Sequence, residues 1–78
     1  MKNTLTPEQI QLMKDDLATE MAGYLVDDFH LTPQEAIDTL YTSDTFERLQ
    51  DDETGFYFQS AGYVYDFLKN EILNAKIE

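Results

Sequence analysis

Two nearly matching pentapeptides, Leu5-Thr6-Pro7-Glu8-Gln9 and Leu31-Thr32-Pro33-Gln34-Glu35, do most to limit how this chain can fold. In each, a threonine precedes a proline. The threonine hydroxyl can accept from a free amide at a helix start, and proline at the first helical position has a preset φ and lacks only an N–H that would go unpaired there anyway. Gln9 and Glu35 stand three residues after their threonines and complete capping boxes, and Leu5 is placed to staple onto Ile10. The flanking residues do not repeat, so the echo is shared capping chemistry and not an internal duplication.

From Pro7, apolar residues recur at helical spacing. Ile10, Met13, Leu17, Met21, Tyr24 and Leu25 share one face, Ala18, Ala22 and Phe29 widen its flank, and Asp16, Glu20 and Asp27 oppose it. This predicts a helix from Pro7 to Asp28 or Phe29. A second helix from Pro33 carries Ala36, Ile37, Leu40 and Tyr41 on one side and stops near Thr42. Ser43 or Asp44 caps a short third helix whose buried pair is Phe46 and Leu49. Gly55 then supplies the positive φ that a chain reversal needs.

The run from Thr54 to Tyr65 holds five aromatics around Gly55 and Gly62. Phe56-Tyr57-Phe58 is expected to be extended, too short and isolated for a sheet. Ser60 caps a fourth helix with an inward stripe of Ala61, Val64, Tyr65, Leu68, Ile72 and Ala75; Tyr63 and Phe67, four apart, can touch on its flank. The expected fold is all-α: residues 1–78 as a single domain, an array of four helices with long first and last members, two short ones between, and an irregular aromatic turn before the last.

With 78 residues, such a domain buries about 60–65% of its unfolded surface, enough for a stability of about 3–5 kcal/mol unless it is stapled. There is no cysteine, and a lone histidine does not make a common zinc site, so no metal and no cofactor are expected. Support must come from aromatic packing or self-association. The missing cysteine suits a reducing cytoplasm, and no apolar run is long enough for a signal peptide or membrane span, so a soluble cytoplasmic protein with no membrane partner is expected.

Sixteen Asp and Glu stand against five Lys and Arg, a formal charge of −11. Nucleic-acid binding requires cations that displace phosphate counterions. The second and third helices have the spacing of a helix-turn-helix, but the docking helix would present Asp44, Glu47 and Asp51 with Arg48 as its only cation. Direct nucleic-acid binding is therefore not expected. A twelve-position calcium loop counted from Asp51 puts Gly55 fifth and Gly62 last, a register that fails. The acidic clusters instead read as solvated faces.

No phosphate-binding glycine motif is present, and His30 has no cysteine or spacing-matched serine beside it, so no catalytic residue is assigned and no enzyme is expected. His30 better suits the end of the first helix. Among the aromatics, Phe56, Phe58 and Tyr65 read as core, whereas Tyr57 and Tyr63, with Phe67, are interaction candidates. Leu12 and Val26 fall on the polar side of the first helix and Leu73 and Ile77 off the stripe of the last, which adds four more. The expected partner is another, basic protein or a second copy of the chain in a homodimer.

The pattern Leu40-Tyr41-Thr42-Ser43-Asp44-Thr45-Phe46, then Leu49, Asp51, Thr54-Gly55-Phe56-Tyr57, Ser60 and Tyr63-Val64-Tyr65 resembles a group of small uncharacterised bacterial proteins. These carry a Ser-x-Thr-(Phe/Tyr) … Thr-Gly-(Leu/Phe)-Tyr … Ser-x-x-Tyr-Val-Tyr run. The likeness covers about the C-terminal half of the chain. It implies an accessory, antitoxin-like role beside toxin-like or mobile-element genes and assigns no catalytic residue.

Overall fold

Both threonine–proline signals open helices. A computed structural model describes the backbone of residues 5–77 and the side chains of residues 5–74. In it, the first helix, α1, spans Pro7–Phe29. The Gln9 N–H donates to Thr6 Oγ1 at 3.1 Å, and Gln9 Oε1 accepts from the Thr6 N–H at 2.9 Å. The same reciprocal pair, at 3.1 and 2.9 Å between Thr32 and Glu35, starts α2, Pro33–Tyr41. Between them His30 ends α1 in the left-handed conformation, φ 56° and ψ 39°, a region that histidine enters more readily than most residues.

Ser43 caps α3, Asp44–Gln50, by accepting from the Phe46 N–H at 3.0 Å. Two short 3₁₀ turns follow, Asp52–Thr54 and Phe56–Phe58, on either side of Gly55 at φ 72°. Ser60 then accepts from the Tyr63 N–H at 3.2 Å where α4, Ala61–Ile77, begins. Among the described residues the architecture is all-α: four α-helices, the first and last long, the middle two short.

The Phe56-Tyr57-Phe58 segment is coiled into a 3₁₀ turn where the sequence suggested an extended segment outside any sheet. Once Gly55 has turned the chain, the Phe58 N–H reaches the Gly55 carbonyl at 3.1 Å and the Gln59 N–H reaches that of Phe56 at 3.0 Å. An extended tripeptide here would leave its amides without a ladder partner. The tight turn also separates the two phenylalanines. Phe56 is buried, but Phe58 is 62% exposed, which corrects its expected place in the core.

One apolar cluster ties the helices together. Leu17, Met21 and Leu25 of α1 meet Ala36 and Leu40 of α2, Leu49 of α3, and Val64 and Leu68 of α4. The buried face of α1 is turned slightly from the expected one. Lys14 is buried on it, whereas Tyr24 lies at the edge with its ring centroid 4.9 Å from that of Tyr65. In α3, Leu49 is fully covered as expected and Phe46 only partly, while Thr45 is unexpectedly buried.

Thr45 is buried because of Glu71. That carboxylate reaches from α4 to the start of α3, accepting from the Asp44 N–H at 2.7 Å, the Thr45 N–H at 3.0 Å and Thr45 Oγ1 at 2.8 Å. A charged acceptor on the free amides of a helix start is favourable through hydrogen bonding and the helix dipole together. It docks a seven-residue helix that is too short to persist alone. Glu71→Ala leaves a buried hydroxyl and two amides without their acceptor, an expected loss of about 1–3 kcal/mol. Urea denaturation of the two proteins measures it; an unchanged midpoint would mean that water replaces Glu71 at no cost.

Candidate interaction surface

Lys14 occupies the position where the 3–4 spacing of Ile10, Leu17, Met21 and Leu25 calls for another apolar side chain. Its stem lies along the core and its ammonium emerges under the α3–α4 connection. Lys14 Nζ donates to the Gln50 carbonyl at 2.8 Å and to Asp52 Oδ1 at 2.6 Å, with the Tyr57 ring centroid 6.0 Å away. The Lys14 side chain is 8% exposed and that of Asp52 59%, so the cation is covered while its partner remains in water. The apolar face read from the sequence left Lys14 out. Its place on the core register was the signal that could have found it.

A second polar contact ties α1 to α4. Tyr65 Oη donates to Asp28 Oδ2 at 2.8 Å, and Lys69 Nζ stands 4.0 Å from the same oxygen. Burial first, then the hydrogen bond to Asp28 and its negative charge, push the Tyr65 phenol well above its ordinary value of 10.0. These are structural ties. Among the described residues, no group of three or more His, Cys, Asp or Glu side chains could hold a metal ion. No helix among them is long and apolar enough to cross a membrane.

The interaction candidates separate into several places. Tyr63 and Phe67 are 48% and 37% exposed with ring centroids 5.4 Å apart, and both lean on Phe56, at 6.5 and 5.1 Å. Tyr57 is half-buried against the core and 4.6 Å from the Phe58 ring. Val26 is also half-buried against the core rather than standing on a free polar side. Leu12 and Leu73 are exposed. Ile77 closes the backbone of α4, but its side chain, like Ala75, lies outside the described residues.

Sequence reading missed a groove between α1 and α2. Ala18 and Ala22 of α1 face Ile37, Leu40 and Tyr41 of α2, with Asp15 at one edge. Tyr41 also borders an adjoining hollow with Phe46, Asp44 and Glu47. The Tyr41 and Phe46 rings stack at 4.6 Å and 15°. The signal was the breadth of α2. Ala36 and Leu40 lie within about 40° of each other around the helix axis, whereas Ile37 and Tyr41 are turned roughly 100° farther. Only the first pair faces the core; Ile37 is 40% and Tyr41 59% exposed.

Burial also changes the charge balance at the surface. Among the residues with described side chains the cations are Lys14, Arg48 and Lys69, and Lys14 is turned inward. The ion pairs found among them are Lys14–Asp52 and Lys69–Asp28. Most of the carboxylates therefore face water without a cation. No family model, curated protein or solved structure matches this chain.

Two outcomes follow from the polar ties. Asp52→Ala leaves a covered ammonium with one carbonyl and is expected to cost about 1.5–3 kcal/mol. Lys14→Met keeps the stem, removes the charge and should stay within about 1 kcal/mol of the parent. Chemical denaturation checks that order, and the reverse order would make the stem, not the pair, the important part. For Tyr65, the folded state holds its proton to higher pH than the unfolded state does. Its contribution is complete below pH 10 or so and is lost as pH rises toward the elevated folded value. Stability should therefore fall more steeply above about pH 10 in the parent than in Tyr65→Phe, as read from denaturation midpoints across that range.

Proposed function

We propose that this chain is a non-catalytic interaction module that covers a basic polypeptide, in the manner of an antitoxin-like accessory protein. The observation that carries the proposal is the uncompensated acidic surface: a formal charge of −11, with one of the few cations withdrawn into the core. Such a field speeds encounter with a cationic partner and repels nucleic acid and other acidic proteins. The proposed setting is the bacterial cytoplasm, in keeping with a cysteine-free sequence and with the likeness to small bacterial proteins.

A second reading has an observation of its own. Phe58, Tyr63 and Phe67 leave large rings exposed beside the 3₁₀ turn and the first turns of α4, an apolar surface that a second copy of the chain could cover in a homodimer. The charge on each copy opposes that pairing, so the basic partner is the leading reading.

Co-purification of the tagged chain from its native host at graded salt tests the first reading. A basic protein should be retained in stoichiometric amount at low salt and released as salt screens the contact. Recovery of no protein even at low salt would defeat it. Sedimentation of the isolated chain separates the second reading: a monomer at high concentration excludes the homodimer, whereas a dimer dispersed by Tyr63→Ala would support it.

A further inference from the structure

We propose that the groove between α1 and α2, with the hollow that Tyr41 shares with α3, is the docking site for an amphipathic helix of the partner, one bearing lysine or arginine beside its apolar stripe. This rests on the basic-partner reading and adds the surface and the form of the ligand. The walls are apolar and unequal in height. Ala18 and Ala22 leave one side low, while exposed Ile37 and the stacked Tyr41–Phe46 pair stand on the other. Space over small side chains beside a tall apolar wall suits the side chains that a helix presents at i, i+3 or i+4, and i+7.

Charge chooses the occupant. Asp15, Asp44 and Glu47 border the groove and its adjoining hollow, and no cation lines either. A second copy of this chain would bring a formal charge of −11 against that rim, and nucleic acid would be repelled likewise. The aromatic side of α4 differs here, because the depression beside Phe67 is lined by Arg48 as well as by Asp44 and Glu71. A basic ligand therefore meets acids and no cation at the groove, whereas the alternative surface offers Asp66 beside Tyr63 and Phe67 but also Arg48 on its α3 side.

Backbone chemistry chooses the ligand's form. No strand occurs among the described residues, so they offer no sheet edge to which an extended peptide could add. A segment lying in this groove must satisfy its own amides and carbonyls, and a helix does so internally. Apolar contacts then come from its stripe, and its flanking lysines or arginines reach the acidic rim.

A synthetic peptide with leucines at helical spacing and lysines between them provides the probe. Its control has the same composition, scrambled so that the leucines share no face. The full chain should bind the amphipathic peptide at least about tenfold more tightly than the control. Amide shifts should centre on Ala22, Ile37 and Tyr41. Ile37→Glu, a change at an exposed position, should reduce affinity about tenfold or more. Glu47→Lys should weaken binding and flatten its salt dependence, whereas Tyr63→Ala should leave it unchanged. Equal affinity for both peptides, or shifts centred on Tyr63 and Phe67, would overturn the groove assignment and leave the basic-partner reading standing. Failure of both peptides to bind at low salt would overturn both.

Discussion

The ammonium of Lys14 lies where the apolar stripe of α1 meets the connection between α3 and α4, and it ties that connection to the first helix. A hydrophobic residue could fill the same space but could not hold the Gln50 carbonyl and the Asp52 carboxylate, at 2.8 and 2.6 Å, in one place. With residues 50–52 held against α1, the 3₁₀ turn that follows delivers Gly55 at φ 72°, and the reversal there sends Phe56 inward and Phe58 outward. Because Asp52 is still largely hydrated, the cation avoids the full penalty of a buried ion pair. The buried charge thus sits just ahead of the reversal at which Phe56 turns inward and Phe58 outward.

The same burial has an electrostatic consequence. In a chain with so few cations, committing one to Asp52 leaves the other exposed carboxylates almost without counter-charge, and that self-repulsion weighs on a small core. Some carboxylates are put to use within the fold: Glu71 holds the start of α3, Asp28 receives the Tyr65 hydroxyl, and Asp52 receives Lys14. Others, such as Asp15 and Glu47 beside the groove, stabilise no other element.

The helix boundaries were legible because they rest on local chemistry. Thr6, Thr32, Ser43 and Ser60 sit where an amide needs an acceptor, and each structural start follows within a residue of them. The core was legible wherever two neighbours demanded the same face, as for Leu17, Met21, Val64 and Leu68. What stayed hidden depends on residues distant in sequence. Glu71 reaches α3 across 26 positions and Lys14 reaches Gln50 across 36, and no local pattern announces either. The Phe56–Phe58 segment was misread for a related reason, since its composition favours extended backbone but no partner strand occurs among the described residues to receive it. The contact of Tyr63 with Phe67 was legible from their spacing, and the two rings lie 5.4 Å apart. Ile37 and Tyr41 were missed because an apolar residue next to a core position looks like core until the width of the neighbouring helix is known.

That width gives α2 its particular place in the molecule. A nine-residue helix is marginal alone and depends on tertiary contact. Its Ala36–Leu40 side has that contact from α1, while its Ile37–Tyr41 side stays open. A partner helix laid along the open side would cover the second face, and any ligand that binds only the ordered form stabilises that form by an amount that grows with the logarithm of its affinity. The groove and the stability of α2 are thereby linked: residues that look wasteful in the isolated chain, apolar side chains left in water beside uncompensated acids, are those from which a bound complex would gain most.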